Sequence, residues 1–195
     1  MFDVGDYVVY GGEGVCRVGA VGPLELDGKK SEKLYYTLFP VYVGGTKVYT
    51  PVSNDKVVIR AIISKEETEQ LIGEMPDMEL LTVANEKTRE ELYRNVLKNC
   101  DCREVARLIK TVHSRREKRI RTGKKVTAVD ERYYRAAEEQ LYGELAIPLS
   151  IEKSQVKDYI AACMEKNGAG CAPEEIGSEI SDQARMGEIC GGDHS

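Results

Sequence analysis

The first sixty residues constrain this chain most. Short β-prone runs at Tyr7–Tyr10, Val15–Val21, Leu34–Val41, Thr46–Thr50 and Val57–Ile59 are separated by glycine-containing turns. Asp27-Gly28 is a hairpin signal and Gly44-Gly45 marks a second tight turn. Five short strands are too few for a sandwich and fit a small, strongly bent SH3- or Tudor-like β-barrel. Gly11-Gly12-Glu13-Gly14 joins two strands rather than a strand and a helix. It therefore lacks the helix N-terminus that binds pyrophosphate and reads as a turn needing positive φ.

Beyond the strands the pattern becomes helical. Ser64-Lys65-Glu66-Glu67 has capping-box form and opens a short helix to Gly73, after which Glu74–Met78 reads as a linker-like break. Asn85 is placed as the N-cap of a helix to about Asn99, with Leu92 and Val96 inward. Asp101 caps a third helix carrying Val105, Leu108, Ile109 and Val112 at helical spacing, ending at Thr122-Gly123. Thr127 starts a fourth, with Tyr133, Ala137, Leu141 and Leu145 apolar, which Ile147-Pro148 is expected to stop. Ser150 to about Lys166 reads as a last helix. The remainder mixes glycine with acidic residues and loses periodicity, with at most a short helix near Ser178–Met186. The expected fold class is α+β: a barrel at 1–63, a compact all-α domain at 64–166, and a mobile, disordered acidic tail at 167–195.

Charge is strongly segregated. The net charge of −5 divides into zero over residues 1–60, −6 over 61–86, +9 over 87–135, −4 over 136–165 and −4 over 166–195. Lys110, Arg115, Arg116, Lys118, Arg119, Arg121, Lys124 and Lys125 lie within sixteen residues that hold one acid, Glu117. Such a block is either a solvated helix face or a surface for phosphates, with salt-sensitive and weakly sequence-selective affinity.

Catalytic signatures are missing. His113 and His194 are too far apart for an evident triad, and no phosphate-cradling Gly-x-x-x-x-Gly-Lys motif occurs. Glu66-Glu67, Glu90-Glu91 and Glu138-Glu139 sit at helix starts or on exposed faces and read as dipole and solubility residues. Six cysteines (Cys16, Cys100, Cys102, Cys163, Cys171, Cys190) show no repeating spacing and read as free thiols, so neither a metal nor a cofactor is expected. The start Met-Phe-Asp-Val-Gly-Asp has no signal-peptide character, and no apolar run approaches a membrane span. The expectation is a cytoplasmic, non-enzymatic protein with no membrane partner and no small-molecule substrate.

Three separated stretches resemble the CarD family of bacterial transcription regulators. They are Val4-Gly5-Asp6-Tyr7-Val8-Val9-Tyr10 followed by Gly12-x-Gly14-Val15, then Val48-Tyr49-Thr50-Pro51-Val52-Ser53-Asn54, and finally Tyr134-x-x-Ala137-x-x-x-Leu141-x-x-Glu144-Leu145-Ala146. The resemblance covers about residues 1–165. It implies an RNA-polymerase-interacting domain, also found in transcription-repair coupling factors, that docks on the polymerase β subunit by pairing a sheet edge. The residues implied are Lys47, Val48, Tyr49, Thr50 and Pro51, with Leu24 on the other side of the hairpin; Tyr49 and Leu24 are uncharged where many relatives are basic.

The resemblance also implies that the helical domain meets upstream promoter double-stranded DNA through phosphate contacts. Relatives wedge a tryptophan into the minor groove beside the melted region. This chain has no Trp, and Glu86 falls at that position. The residues implied at DNA are Glu86, Arg89, Arg94, Lys98, Arg115, Arg116, Arg119, Lys124 and Lys125. Two alternatives stand beside this reading. One is a polymerase adaptor that does not touch DNA; the other is a thiol or metal sensor built on Cys100 and Cys102, with Cys163.

Overall fold

The computed structural model describes residues 1–26, 29–83 and 85–165, with residues 26, 29 and 30 described by backbone alone. Five strands come first: β1 (Tyr7–Tyr10), β2 (Gly14–Leu26), β3 (Lys29–Pro40), β4 (Val48–Pro51) and β5 (Ile59–Ala61). All neighbours are antiparallel and the spatial order is β4-β3-β2-β1-β5. The sheet thus has β4 at one edge and β5 at the other, as a curled sheet rather than a ladder closed upon itself among the described residues.

Its core forms from alternate residues, as a period of two requires: Val8, Cys16, Val18, Tyr36 and Leu38 pack together. β2 and β3 are long enough to bend because two register shifts, between Val18 and Ala20 and between Pro23 and Glu25, add local twist. Val9, next to Val8 and so on the opposite face, is buried as well, so β1 is covered on both sides. The expected Asp27-Gly28 turn lies outside the described residues, although the ladder pairs Leu26 with Lys29 across it. Gly45 in the β3–β4 connection has φ of 78°, the left-handed conformation expected of a glycine turn.

Five helices follow: α1 (Lys65–Glu74), α2 (Arg89–Asn99), α3 (Cys102–Arg121), α4 (Ala128–Leu149) and α5 (Val156–Glu165). Three of the expected caps are present. The Ser64 hydroxyl accepts from the Glu67 N–H (3.1 Å) while the Glu67 carboxylate accepts from the Ser64 N–H (2.7 Å), a reciprocal box. Asp101 accepts from the Glu104 N–H (2.9 Å) and Thr127 from the Asp130 N–H (3.1 Å). One apolar cluster, including Leu71, Ile72, Tyr93, Val105, Leu108, Val112, Tyr133, Leu141, Leu145, Val156 and Ile160, joins all five helices.

Four sequence expectations require correction. Asn85 does not cap α2: its side chain accepts from the Lys87 N–H (2.9 Å) to form a local turn, and the helix begins four residues later. Residues Glu74–Met78 are no open linker, because a 3-10 turn at Met75–Asp77 buries Met75 and Met78 in the helical core. α4 runs through Pro148 to Leu149 and stops where Ser150 adopts φ of 56°. A proline in the last turn removes one backbone bond, while burial of Leu145, Ala146 and Leu149 holds that turn in place. The last helix is preceded by a 3-10 turn at Lys153–Gln155 and starts only at Val156. Residues 166–195, including the expected tail, its short helix, Cys171, Cys190 and His194, lie outside the described residues.

Candidate docking edge and basic tip

Strand β4 is the open edge. Its partners are Val48↔Leu38, Tyr49↔Thr37, Thr50↔Tyr36 and Pro51↔Tyr35. The Val52 N–H donates to Leu34 O (2.9 Å), so the Val52–Leu34 pair is hydrogen-bonded. Antiparallel pairs alternate. Thr50 and Val48 therefore turn their backbone groups toward β3, and Tyr49 turns its N–H and C=O outward. Pro51 has no N–H, and its carbonyl accepts from the Asn54 N–H (3.0 Å). Tyr49 is thus the strand residue with a free donor and a free acceptor on the open edge. Its side chain is 47% exposed, on the face opposite buried Thr50. On the same sheet, Lys47 holds its ammonium 5.7 Å from the Phe39 ring centre. Leu24 is half-buried on β2, one strand removed from the edge, beside the Pro23–Glu25 bulge.

The opposite edge meets the helices. Arg60 of β5 projects to Glu144 of α4, giving Nη1–Oε1 at 2.5 Å and Nη2–Oε2 at 2.8 Å. Glu144 is only 2% exposed, yet it also accepts from the Ile63 N–H (3.2 Å) and the Cys102 thiol (3.0 Å). Arg60 Nε donates to the Cys100 carbonyl (2.8 Å). Burial opposes the charge on Arg60, but the hydrogen bond and charge of Glu144 outweigh it and raise the guanidinium's pKa. A second tie lies alongside, where the Tyr42 hydroxyl donates to Gly143 O (2.7 Å). A Cβ on Gly143 would stand 3.1 Å from the Tyr42 ring, so the small residue permits the approach. Beside the Tyr42–Gly143 tie runs a cleft of about 650 Å³, bounded by Gly11–Val15, Tyr42 and Val57 on the sheet side and by Leu97, Gln140 and Gly143 on the helices.

Cys100 and Cys102 belong to this junction. Burial, foremost, pushes both thiols up, and the charge of nearby Glu144 adds to it, so neither is primed as a thiolate. Cys16, in the sheet core, is likewise pushed up to about 11, by burial and then by the charge of Glu13. Among the described residues, no group of three or more His, Cys, Asp or Glu side chains is arranged to hold a metal ion.

α3 and α4 run antiparallel, since Cys102 meets Glu144 while Arg115 meets Asp130. Fourteen residues of α4 separate those two carboxylates, or roughly 21 Å of rise. The far end of the helices gathers much of the basic block. There Asp130, 0% exposed, faces Arg89 Nε at 3.4 Å and Arg115 Nε at 3.8 Å. Glu86, on the turn before α2, caps the same two arginines from outside: Oε1 accepts from Arg115 Nη2 (2.6 Å) and Oε2 from Arg89 Nη1. Those contacts, the Arg115 hydrogen bond first and against the opposing effect of burial, hold the Glu86 carboxyl below its ordinary range.

The remaining basic residues divide by what they touch. Arg116 lies over the Tyr134 ring (4.6 Å) and pairs with Glu131 (3.5 Å), and Arg119 Nε donates to Lys125 O (2.8 Å). Arg94 is exposed on α2 beside Glu90, and Lys98, nearer the sheet, lines the cleft. Lys118, Lys124 and Lys125 are exposed and carry no ion pair among the described residues, and Arg121 is held only at 4.0 Å by Glu117. Among these cations Ile120 stands 63% exposed.

Sequence reasoning named the surface residues and missed the two buried acids that organise them. The signal was present: Asp130 and Glu144 continue the apolar stripe Tyr133, Ala137, Leu141 at helical spacing, one at each end. A carboxylate on a buried stripe needs a cation, and Arg89, Arg115 and Arg60 supply it.

Among the described residues no helix is long and apolar enough to cross a membrane. No curated protein matches the chain. Residues 2–63 match the family described as the CarD-like/TRCF RID domain. That span contains the five-stranded sheet with its open β4 edge. The chain therefore opens with a CarD-like, RNA-polymerase-interacting domain followed by a helical region.

Proposed function

We propose that this protein tethers to the RNA polymerase β subunit through β4 and modulates promoter open-complex stability through helical contacts to upstream DNA. The observation that carries the reading is a division of labour along one molecule. An open strand edge within the CarD-like domain lies at one end, and a cationic tip lies roughly 21 Å beyond the junction, the rise between Glu144 and Asp130.

Docking works by β-augmentation: a strand of polymerase β pairs with the outward N–H and C=O of Tyr49, and the Tyr49 ring and the Lys47 ammonium select the partner. CarD-like domains are typically found in non-enzymatic regulators, and this site positions edges and charges rather than a reacting group. Lys118, Arg121, Lys124 and Lys125 meet phosphates, with Arg94 farther along α2. The position that relatives use for an apolar wedge holds Glu86, so the tip acts through backbone charge; Ile120 is its exposed apolar side chain.

The test is duplex-DNA titration of the full chain over a salt series. Lys124→Ala with Lys125→Ala should flatten the slope of log K against log salt by about 0.9 for each phosphate no longer neutralised. An unchanged slope sinks the DNA reading and favours the second one, a polymerase adaptor whose basic tip meets an acidic protein surface.

A further inference from the structure

Arg89 and Arg115 project from different helices yet point at one place. Two guanidiniums do not converge without an anion, and here two carboxylates serve. Asp130 lies behind them, fully buried, with neither oxygen hydrogen-bonded and its ion-pair distances long at 3.4 and 3.8 Å. Glu86 lies in front, with its side chain 64% exposed, and takes the short hydrogen bonds from both. The strong contacts of the fork are therefore made to the exposed acid.

We infer that the Arg89–Arg115 fork is a phosphate seat of the helical tip, and that Glu86 is its built-in occupant, which a DNA phosphodiester displaces. Charge supports the exchange. Arg89, Arg115 and Asp130 leave one positive charge, which Glu86 now neutralises and one phosphodiester would neutralise equally. Geometry supports it too. A carboxylate offers two oxygens to two guanidiniums, and the two non-bridging oxygens of a phosphodiester present a similar fork. Glu86 sits on a turn preceding α2, outside any helix or strand, so it can leave without unwinding one. Asp130 stays behind and keeps the two arginines aligned once Glu86 has left, so the seat is preorganised. This inference rests on the proposed DNA binding and sharpens it: the residue at the wedge position gates affinity instead of inserting.

The experiment uses the full chain, a fluorescently labelled duplex and a salt series. Glu86→Gln is compared with Glu69→Gln, which removes the same unit of charge from α1 at a residue that has no ion pair among the described residues. Circular dichroism confirms that each variant is folded. Glu86→Gln should bind about fivefold to tenfold tighter near 0.1 M salt with a similar slope, because the same phosphate is neutralised in both proteins and only the displacement of Glu86 is spared. Glu69→Gln should change affinity less than about twofold, and Arg115→Ala in the Glu86→Gln background should abolish the tightening. Equal effects of the two glutamine variants overturn the seat while leaving the DNA reading intact. Salt-insensitive binding by the wild type and by Glu86→Gln alike overturns both. Binding seen only with Glu86→Gln supports the seat directly.

Discussion

The junction between sheet and helices can be tested through the asymmetry of its buried ion pair. Glu144 is 2% exposed, and its carboxylate receives Arg60, the Ile63 N–H and the Cys102 thiol. The Arg60 side chain keeps 28% of its surface and can turn toward water. The two halves of the pair therefore differ in what they leave behind. Arg60→Met strands a carboxylate where water does not reach, so it should destabilise the chain by about 3–5 kcal/mol, the range for one broken buried pair. Glu144→Leu strands a guanidinium that resolvates, and should cost only about 1–3 kcal/mol, chiefly the hydrogen bonds lost at Ile63 and Cys102. The double variant replaces both charges with apolar groups of similar length, which is often close to neutral. It should recover most of the loss, so that the double variant costs less than Arg60→Met alone. The assay is urea unfolding followed by far-UV circular dichroism, with stability extrapolated linearly to water. Additive single effects, or a Glu144→Leu cost exceeding that of Arg60→Met, would refute the reasoning, since either means that Glu144 is not an isolated buried charge.

Further expectations follow from the same geometry. Tyr49→Pro removes an outward N–H that takes no part in the ladder to β3, so the unfolding midpoint should shift little while capture of polymerase β by the full chain is lost; retained capture would exclude pairing through Tyr49. Gly11→Ala should destabilise by about 1–3 kcal/mol in urea melts, because Gly11 has φ of 42° and a Cβ would meet Val57 Cγ1 at 2.5 Å. The depressed pKa of Glu86 gives a pH signature with a definite sign. Its carboxylate is favoured in the folded state, so its contribution is present above the ordinary value of 4.5 and lost as pH falls through the lower folded value. A comparison of wild type with Glu86→Gln should show a stability difference that is flat near neutrality and shrinks only below pH 4.5.

Local structure was legible in the sequence wherever short-range chemistry decides it. The five strands follow β-prone runs between glycine turns, and Ser64, Asp101 and Thr127 cap helices at the expected positions, because a cap needs only an acceptor three residues upstream of an N–H. Local signals failed where burial outweighed them. Pro148 stays within α4 because its neighbours are held in the core, and Asn85 prefers its own turn to capping α2.

For the site, residue identities alone show where charge is carried and which strand resembles a polymerase-docking edge. Tertiary structure alone decided their states. Of nine residues expected at DNA, Glu86, Arg89 and Arg115 are locked to one another and Arg116 and Arg119 hold their own fold, whereas Lys124 and Lys125 face solvent without an ion pair among the described residues. The physical reason is range. A cap or a turn is settled within four residues, but a guanidinium's partner is whichever carboxylate packing brings near. Arg60 and Glu144 stand 84 positions apart and meet at 2.5 Å.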